Sequence, residues 1–278
     1  MARKGSNKSG NQEKVRHANR QKIQEARGKG KIKGTSNDKS QEGGRVIKEK
    51  FQEQLQKSLP PVSAKNEKQK HYLNILKTCN IIIVRGLFGT GKTYLASCVA
   101  GDLLRKKEIE QIIVARPYVQ TGKTSGFKPG TSYEKLYPYV RNVLDTVKSR
   151  MGDGAYQYAL KDGVSGQIEV QEVESIRGRS FDKKSFLILD EAQQTTPEEM
   201  KAIVTRIGDD CTLVLCGDES QRDIKGQSGL SWFSDFAIRH GLSGVGFVNF
   251  NEPSDIIRGG LVRDIAIGLA RDDYFEKD

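Results

Sequence analysis

The chain has 278 residues, 46 Lys+Arg against 35 Asp+Glu for a formal net charge of +11, and 36% hydrophobic residues. That length suits one large α/β domain or two small ones. The composition excludes a membrane-spanning chain, because no apolar run approaches the roughly 20 residues that a spanning helix needs, and the four cysteines form no CxxC pair of the kind that marks a zinc or redox motif.

The charge is uneven. Residues 1–60 carry 16 Lys+Arg and 6 Asp+Glu, so nearly the whole excess sits there and the remainder is close to balance. This opening segment is Lys, Gly, Asn, Gln and Ser with almost no large apolar residue before Phe51. It cannot bury enough surface to offset its ordering entropy, so residues 1–58 are expected to form a disordered basic tail, with a helical tendency around 45–59. Such an arm suits the phosphates of RNA or single-stranded DNA; a solubilising tail has the same composition. The segment lacks the apolar core of a secretory signal, and a cytoplasmic location is expected. Residues 59–278 are expected to form the folded domain.

The first strand signal, Ile81-Ile82-Ile83-Val84, runs into Gly86-Leu87-Phe88-Gly89-Thr90-Gly91-Lys92-Thr93, a match to GxxxxGK[ST] with a helical stretch near 91–106 behind it. Strand, glycine-rich loop and helix in this order are the context that a Walker A phosphate loop requires. The backbone N–H groups of Gly86, Gly89, Thr90 and Gly91 would wrap phosphate oxygens, and the helix would add its positive N-terminal end. Lys92 is expected to reach the β- and γ-phosphates of ATP, and the Thr93 hydroxyl to ligate Mg²⁺. A second strand signal covers 112–115. Beyond it Thr121-Gly122-Lys123-Thr124 repeats GKT, but Pro117 stands where the pattern needs its first glycine, so this stretch reads as loop.

After a helical stretch near 134–150 and a strand over 168–173, Phe186-Leu187-Ile188-Leu189-Asp190-Glu191 is an apolar strand ending in two carboxylates, the Walker B form. Asp190 is expected to hold the Mg²⁺ water shell and Glu191 to polarise the attacking water. Thr196-Pro197-Glu198-Glu199 then spells a capped helix start, with Pro at the first position and a capping-box Glu, leading a helix to about 207. A strand over 212–216 runs into Gly217-Asp218-Glu219-Ser220-Gln221. The Gln221 amide both donates and accepts, which makes it the candidate sensor of the γ-phosphate. A helix near 228–239, a strand over 245–250 and a helix near 256–271 complete the alternation. The pattern predicts an α/β P-loop NTPase domain: a mainly parallel sheet with helices on both faces and ligands at the carboxyl ends of the strands, where both Walker motifs lie. His17, His71 and His240 are too scattered to make a metal site, and no catalytic histidine is assigned.

With these motifs in this order, the chain resembles the PhoH family of P-loop ATPases, which is similar to the core of superfamily-one helicases. The resemblance covers about residues 60–270. It is carried by Lys65–Tyr72 ahead of Walker A, IIVARP at 112–117, GFKPG at 126–130 with Glu134-Lys135 and Pro138-Tyr139, the stretch 176–200, Thr205–Gly208, Gly217-Asp218 with Gln221, Ser228-Gly229-Leu230, and Asp255–Arg258. It implies that Gln69 reads the adenine edge and that Arg258 is an arginine finger. It also implies phosphate or nucleic-acid contact for Arg177 and Arg179, with ion pairing as the alternative. A homo-oligomer such as a hexameric ring is implied too, in which Arg258 would reach a neighbour's ATP. No acidic metal-binding domain of the kind fused in some relatives is expected, so their RNase activity is not carried over.

The function expected from this reading is a nucleic-acid-dependent ATPase, RNA-directed and with helicase action as one form of it. The alternative is an ATP-controlled nucleic-acid-binding switch without motor activity. A small-molecule phosphotransferase fits less well, because Glu191 and Gln221 suit water as the nucleophile.

Overall fold

The structure is a computed structural model that describes residues 59–117, 130–160, 166–176, 178–181 and 184–275. The basic tail, the turn at 121–124 and Arg177 lie outside the described residues.

Strands β1 (Ile81–Gly86), β2 (Gln111–Arg116), β3 (Ile168–Glu172), β4 (Ser185–Leu189), β5 (Thr212–Gly217) and β6 (Val245–Phe250) form one sheet. Their order is β3-β2-β4-β5-β1-β6, and every neighbouring pair is parallel. Each strand falls on an apolar run of the sequence to within two residues at its ends. The core explains why. Along β1, Ile82 and Val84 join one buried cluster while Ile83 joins the other; Phe186 and Ile188 oppose Leu187 and Leu189 on β4 in the same way. Pleating sends successive side chains to opposite faces, and a strand covered on both faces must be apolar at every position.

One face is covered by α1 (Glu67–Thr78), α2 (Lys92–Arg105), α3 (Ser132–Met151) and α4 (Asp153–Leu160). The other carries α5 (Val173–Ile176), α6 (Pro197–Val204) and α7 (Gly229–Arg239). Helix α1 has no counterpart among the predicted elements, because its buried Tyr72, Ile75 and Leu76 are set in a mostly polar stretch. Asn66 starts it by accepting from Gln69 N at 2.8 Å. Helix α6 begins with the capping box that its spacing predicts: Thr196 Oγ1 accepts from Glu199 N at 3.2 Å, and Thr196 N donates to Glu199 Oε2 at 2.9 Å. The last helix, α8 (Leu261–Phe275), starts later than the predicted 256, since residues Pro253–Asp255 form a 3-10 turn and Gly260 sits at a φ of 65°. No described helix is long and apolar enough to cross a membrane.

Helix α2, which continues from the glycine-rich loop, is held hard against α3. A Cβ at Gly101 would stand 2.9 Å from Arg150 Cβ, so only glycine allows this approach. Arg150 then grips Asp102 with Nε at 2.9 Å and Nη2 at 2.5 Å. The strand order has a further consequence for the site. It sets β5 between β1 and β4, so the carboxyl ends of β2, β4, β5 and β1 stand in a row, with β6 beyond.

Candidate functional site

The row of strand ends opens into a cleft of about 710 Å³. Its first wall is the loop after β1. A Cβ at Gly86, whose φ is 134°, would overlap the Phe250 carbonyl of β6, and Leu87 N donates to that carbonyl at 2.8 Å. The loop therefore leaves the sheet pressed against its neighbour, which explains the glycine at the first position of the motif. Thr90 Oγ1 ties the loop internally by donating to Leu87 O at 2.9 Å. Gly91 is the N-cap of α2 and no side chain caps it, so first-turn N–H groups of that helix are available to an anion.

Lys92 curls into this loop and donates from Nζ to Gly86 O at 2.5 Å and Leu87 O at 2.8 Å. Burial pulls its pKa below the ordinary lysine value, against the opposing pull of Asp218, Cys216, Asp190 and Glu191. Thr93 Oγ1 donates to Asp190 Oδ1 at 2.7 Å, bridging the loop to the end of β4. The Asp190 carboxyl is pushed up by burial, although the Thr93 hydrogen bond, Arg116 and Lys92 pull it down. A desolvated carboxylate with a hydroxyl beside it is a pair of hard oxygen ligands. Among the described residues no group of three or more His, Cys, Asp or Glu side chains could hold a metal. The chemistry of the Thr93–Asp190 pair would suit Mg²⁺, which takes few protein ligands and completes its shell with water and substrate phosphates.

Glu191 follows with φ 55° and ψ 40°, a left-handed conformation uncommon for a residue with a side chain. Both of its oxygens are engaged: Gln193 Nε2 donates to Oε2 at 2.6 Å, and Arg116 Nη2 lies 3.5 Å from Oε1. Gln193 is fully buried and its Oε1 accepts from Asp218 N at 3.1 Å, so the turn after β4 is joined to the loop after β5. Gln194 makes a second joint, donating to Gln221 O at 2.8 Å and accepting from Asp223 N at 3.1 Å. Gln221 lines the cleft with its side chain folded back, Nε2 donating to Asp218 Oδ2 at 3.1 Å.

The far wall comes from the segment after β6. Lys68 on α1 pairs with Asp255 at 2.7 Å and Glu252 at 3.2 Å, and Ile257 N donates to Gly89 O at 3.2 Å. These contacts lay Arg258 along the loop of its own chain: a Cβ at Gly89 would meet its Cγ and Cδ at 3.5 Å. Arg258 thereby lines the cleft of its own subunit. Gln69 stands on α1. It is buried behind the loop, with Oε1 accepting from Lys65 N at 2.8 Å and Nε2 donating to Thr90 O at 2.9 Å, so its amide braces the loop and does not line the cleft.

Arg179 is not at the site. It bonds Glu169 Oε2, and its Nη2 reaches Gln111 Oε1 at 3.3 Å, at the amino end of β2. It makes an ion pair with a buried carboxylate, the alternative given above, and its side chain stays about one-third exposed. In its stead the structure brings in Arg116, which the sequence reading passed over except as part of IIVARP. Its Nη1 donates to Asp190 Oδ2 at 3.1 Å, and its guanidinium lies 5.7 Å above the ring of Tyr139 on α3. The available signal was its place at the end of an apolar run, the same signal that identified Asp190. Gln193 and Gln194 were missed for a different reason: glutamines after a strand carry no spacing rule.

The family model described as PhoH-like protein matches residues 61–268. Among curated relatives, Protein PhoH of Escherichia coli K12 is 38% identical over 59% of this chain and 46% of its own length. The PhoH-like protein of Bacillus subtilis is 34% identical over 73% of this chain and 62% of its own, and that of Mycobacterium leprae 36% identical over 78% and 60%. The chain thus spans about half to three fifths of the length of these relatives. Among solved structures, the HK97 bacteriophage large terminase is similar with a TM-score of 0.49 and 15% identity, over 78% of this chain and 49% of that one. The UvsW helicase of bacteriophage T4 is similar with a TM-score of 0.41 and 15% identity, over 74% and 67%.

Proposed function

This chain belongs to the PhoH family, and from that premise we propose that it binds ATP with Mg²⁺ and hydrolyses it to ADP and phosphate, in the service of RNA or single-stranded DNA. The observation that carries the reading is the convergence of Lys92, the Thr93–Asp190 pair, Glu191 and Gln221 on adjacent strand ends around one cleft.

Each residue has a definite task in this proposal. Lys92 exchanges the carbonyls of Gly86 and Leu87 for β- and γ-phosphate oxygens, whose charge restores the pKa that burial lowers. Thr93 and Asp190 hold Mg²⁺. When bound, that ion supplies charge neutralisation across the β- and γ-phosphates. Glu191 orients the attacking water and takes its proton, and Gln221 follows the γ-phosphate from a loop that Gln193 and Gln194 tie to the same turn. Arg258 adds positive charge beside the loop in the same subunit. Gln69 acts on ATP through the loop that it braces.

Residues 59–278 form the catalytic domain in this reading, and residues 1–58 act as an arm on the polynucleotide, on the ground of their basic excess. Assembly into a homo-oligomeric ring is a separate element of the proposal, to be read from the mass of the protein in solution. The test is ATP turnover by the purified chain on RNA, single-stranded DNA and duplex side by side, repeated without residues 1–58 across a salt series. Stimulation by one polymer and a shallower salt dependence after truncation would support the proposal; each lost phosphate contact removes roughly 0.7 from the slope of log affinity against log salt for single strands. Turnover indifferent to every polymer would favour the ATP-controlled switch.

A further inference from the structure

We propose that Gln193 is a positioning residue for the hydrolytic step: its buried amide holds the Glu191 carboxylate in place from the loop that carries Gln221. The inference rests on the ATPase reading of this cleft and names the side chain that aims its water-orienting group. Gln193 lies on the 3-10 turn Ala192–Gln194 that follows β4, and it is fully buried. Its Oε1 accepts from Asp218 N at 3.1 Å, and its Nε2 donates to Glu191 Oε2 at 2.6 Å. A backbone N–H can only donate, so the carbonyl end of the amide is committed to Asp218 and the donor end is turned to Glu191.

The surroundings are shaped to this amide. Gly217, the last residue of β5, leaves the space that Gln193 occupies: a Cβ there would stand 2.8 Å from Gln193 Oε1 and 3.1 Å from Gln193 N. A tie between the turn and the loop does not by itself require Gln193, because Gln194 already makes one, donating to Gln221 O and Asp223 Oδ2 and accepting from Asp223 N. What Gln193 adds is a short, directional bond to a carboxylate that lines the cleft. The other oxygen of Glu191 has only the Arg116 guanidinium at an ion-pair distance of 3.5 Å. A group that takes a proton from water has to stand within hydrogen-bond reach of it, and a misplacement of about 1 Å can cost about 10²-fold in rate. At its other end the amide holds the start of the loop in which Gln221 folds onto Asp218 Oδ2, so Glu191 and Gln221 are set from one frame.

The test uses the full chain with Gln193→Met and Gln193→Asn, each alone and combined with Glu191→Gln, and reads ATP affinity, steady-state kcat, the single-turnover rate and the melting temperature. Gln193→Met keeps the length of the side chain and removes both hydrogen bonds, and it should lower kcat by about 10–10²-fold while ATP affinity stays within a few-fold of the parent. Gln193→Asn keeps an amide that is one methylene too short to span both partners. It should lose kcat to a similar extent and melt closer to the parent, so it carries the test if Gln193→Met does not fold. Added to Glu191→Gln, either substitution should slow the single-turnover rate by less than about twofold more, because the group through which Gln193 acts is already gone. Losses that multiply in the double variants would overturn the proposal, since Gln193 would then act independently of Glu191. A lower melting temperature with unchanged kcat, or equal losses of ATP affinity and turnover, would overturn it as well by reducing Gln193 to a structural tie. A parent that hydrolyses no ATP in any condition would overturn the ATPase reading and this role with it, whereas the other failures leave that reading standing.

Discussion

Strand β2 carries an arginine–carboxylate cluster at each end, and the two are built to different purposes. At its amino end, Glu169 is buried and both its oxygens accept hydrogen bonds, Oε1 from Gln111 and Oε2 from Arg179 and Gln171. Arg179 also packs over the ring of Phe181 at 5.4 Å. This is a closed set that joins β2, β3 and the segment before β4. At the carboxyl end, Arg116, Asp190, Glu191 and Lys92 also pair cations with carboxylates, but under tension: the Asp190 carboxyl is raised and the Lys92 ammonium lowered by burial, and Glu191 sits in a left-handed backbone conformation. Strain and frustrated charge persist only where the surrounding structure imposes them, and they mark the end of the sheet that is kept for chemistry. An arginine–carboxylate pair alone does not distinguish the two ends; what each partner gives up to stay there does.

Substitutions should separate the ends cleanly. The largest effect is expected from Lys92→Ala, which removes the cation on the phosphates and should lower ATP turnover by about 10³-fold or more, with weaker ATP binding and an unchanged circular dichroism spectrum. Turnover within a few-fold of the parent would remove the phosphate-loop assignment. Glu191→Gln should cost about 10²–10⁴-fold in kcat, the range for loss of a general base, while nucleotide affinity stays within a few-fold. Equal loss of binding and turnover would make Glu191 a structural residue. Arg258→Ala should cost about 10²-fold in kcat as a loss of transition-state charge. Because Arg258 lies on the loop of its own chain, mixing Arg258→Ala with Lys92→Ala protein should restore nothing; recovery after subunit exchange would show that the finger acts across subunits.

At the closed end the expected effect is on stability. Arg179→Ala leaves Glu169 buried without its cation and should destabilise the fold by about 2–4 kcal/mol in chemical denaturation, with kcat unchanged. A variant of full stability would show that the cluster is not the structural tie described above. The smallest effect sharpens the contrast. The folded-state pKa of Asp190 is raised, so its ionised form costs stability at neutral pH; that cost is absent below the unfolded-state pKa and grows as pH rises through the folded-state value. Asp190→Asn should therefore melt higher than the parent at pH 7, and the gap should close below about pH 4. A lower melting temperature at pH 7 would mean that the Arg116 pairing outweighs the desolvation of Asp190.

What the sequence determined by itself are the features whose physics is local along the chain. Strands buried on both faces must be unbroken apolar runs, so all six were legible. The phosphate loop is a strand, a set of glycines, Lys92 and Thr93 in immediate succession, and Asp190 and Glu191 follow their strand without a gap. The Thr196–Glu199 capping box spans a single turn. What only the tertiary structure decided is which of these strand ends become neighbours. Arg116 and Asp190 are 74 residues apart, and they meet because packing places β2 beside β4, an adjacency that no motif encodes. Arg258 faces its own cleft through the Lys68–Asp255 pair and the Ile257–Gly89 hydrogen bond, and Gln69 braces the loop because its amide is buried against Thr90. Arg179 was separated from the site by the length of one strand. A motif specifies the chemistry that a residue can perform, whereas burial of both sheet faces selects the strand order, and the strand order selects the partner on which that chemistry is used.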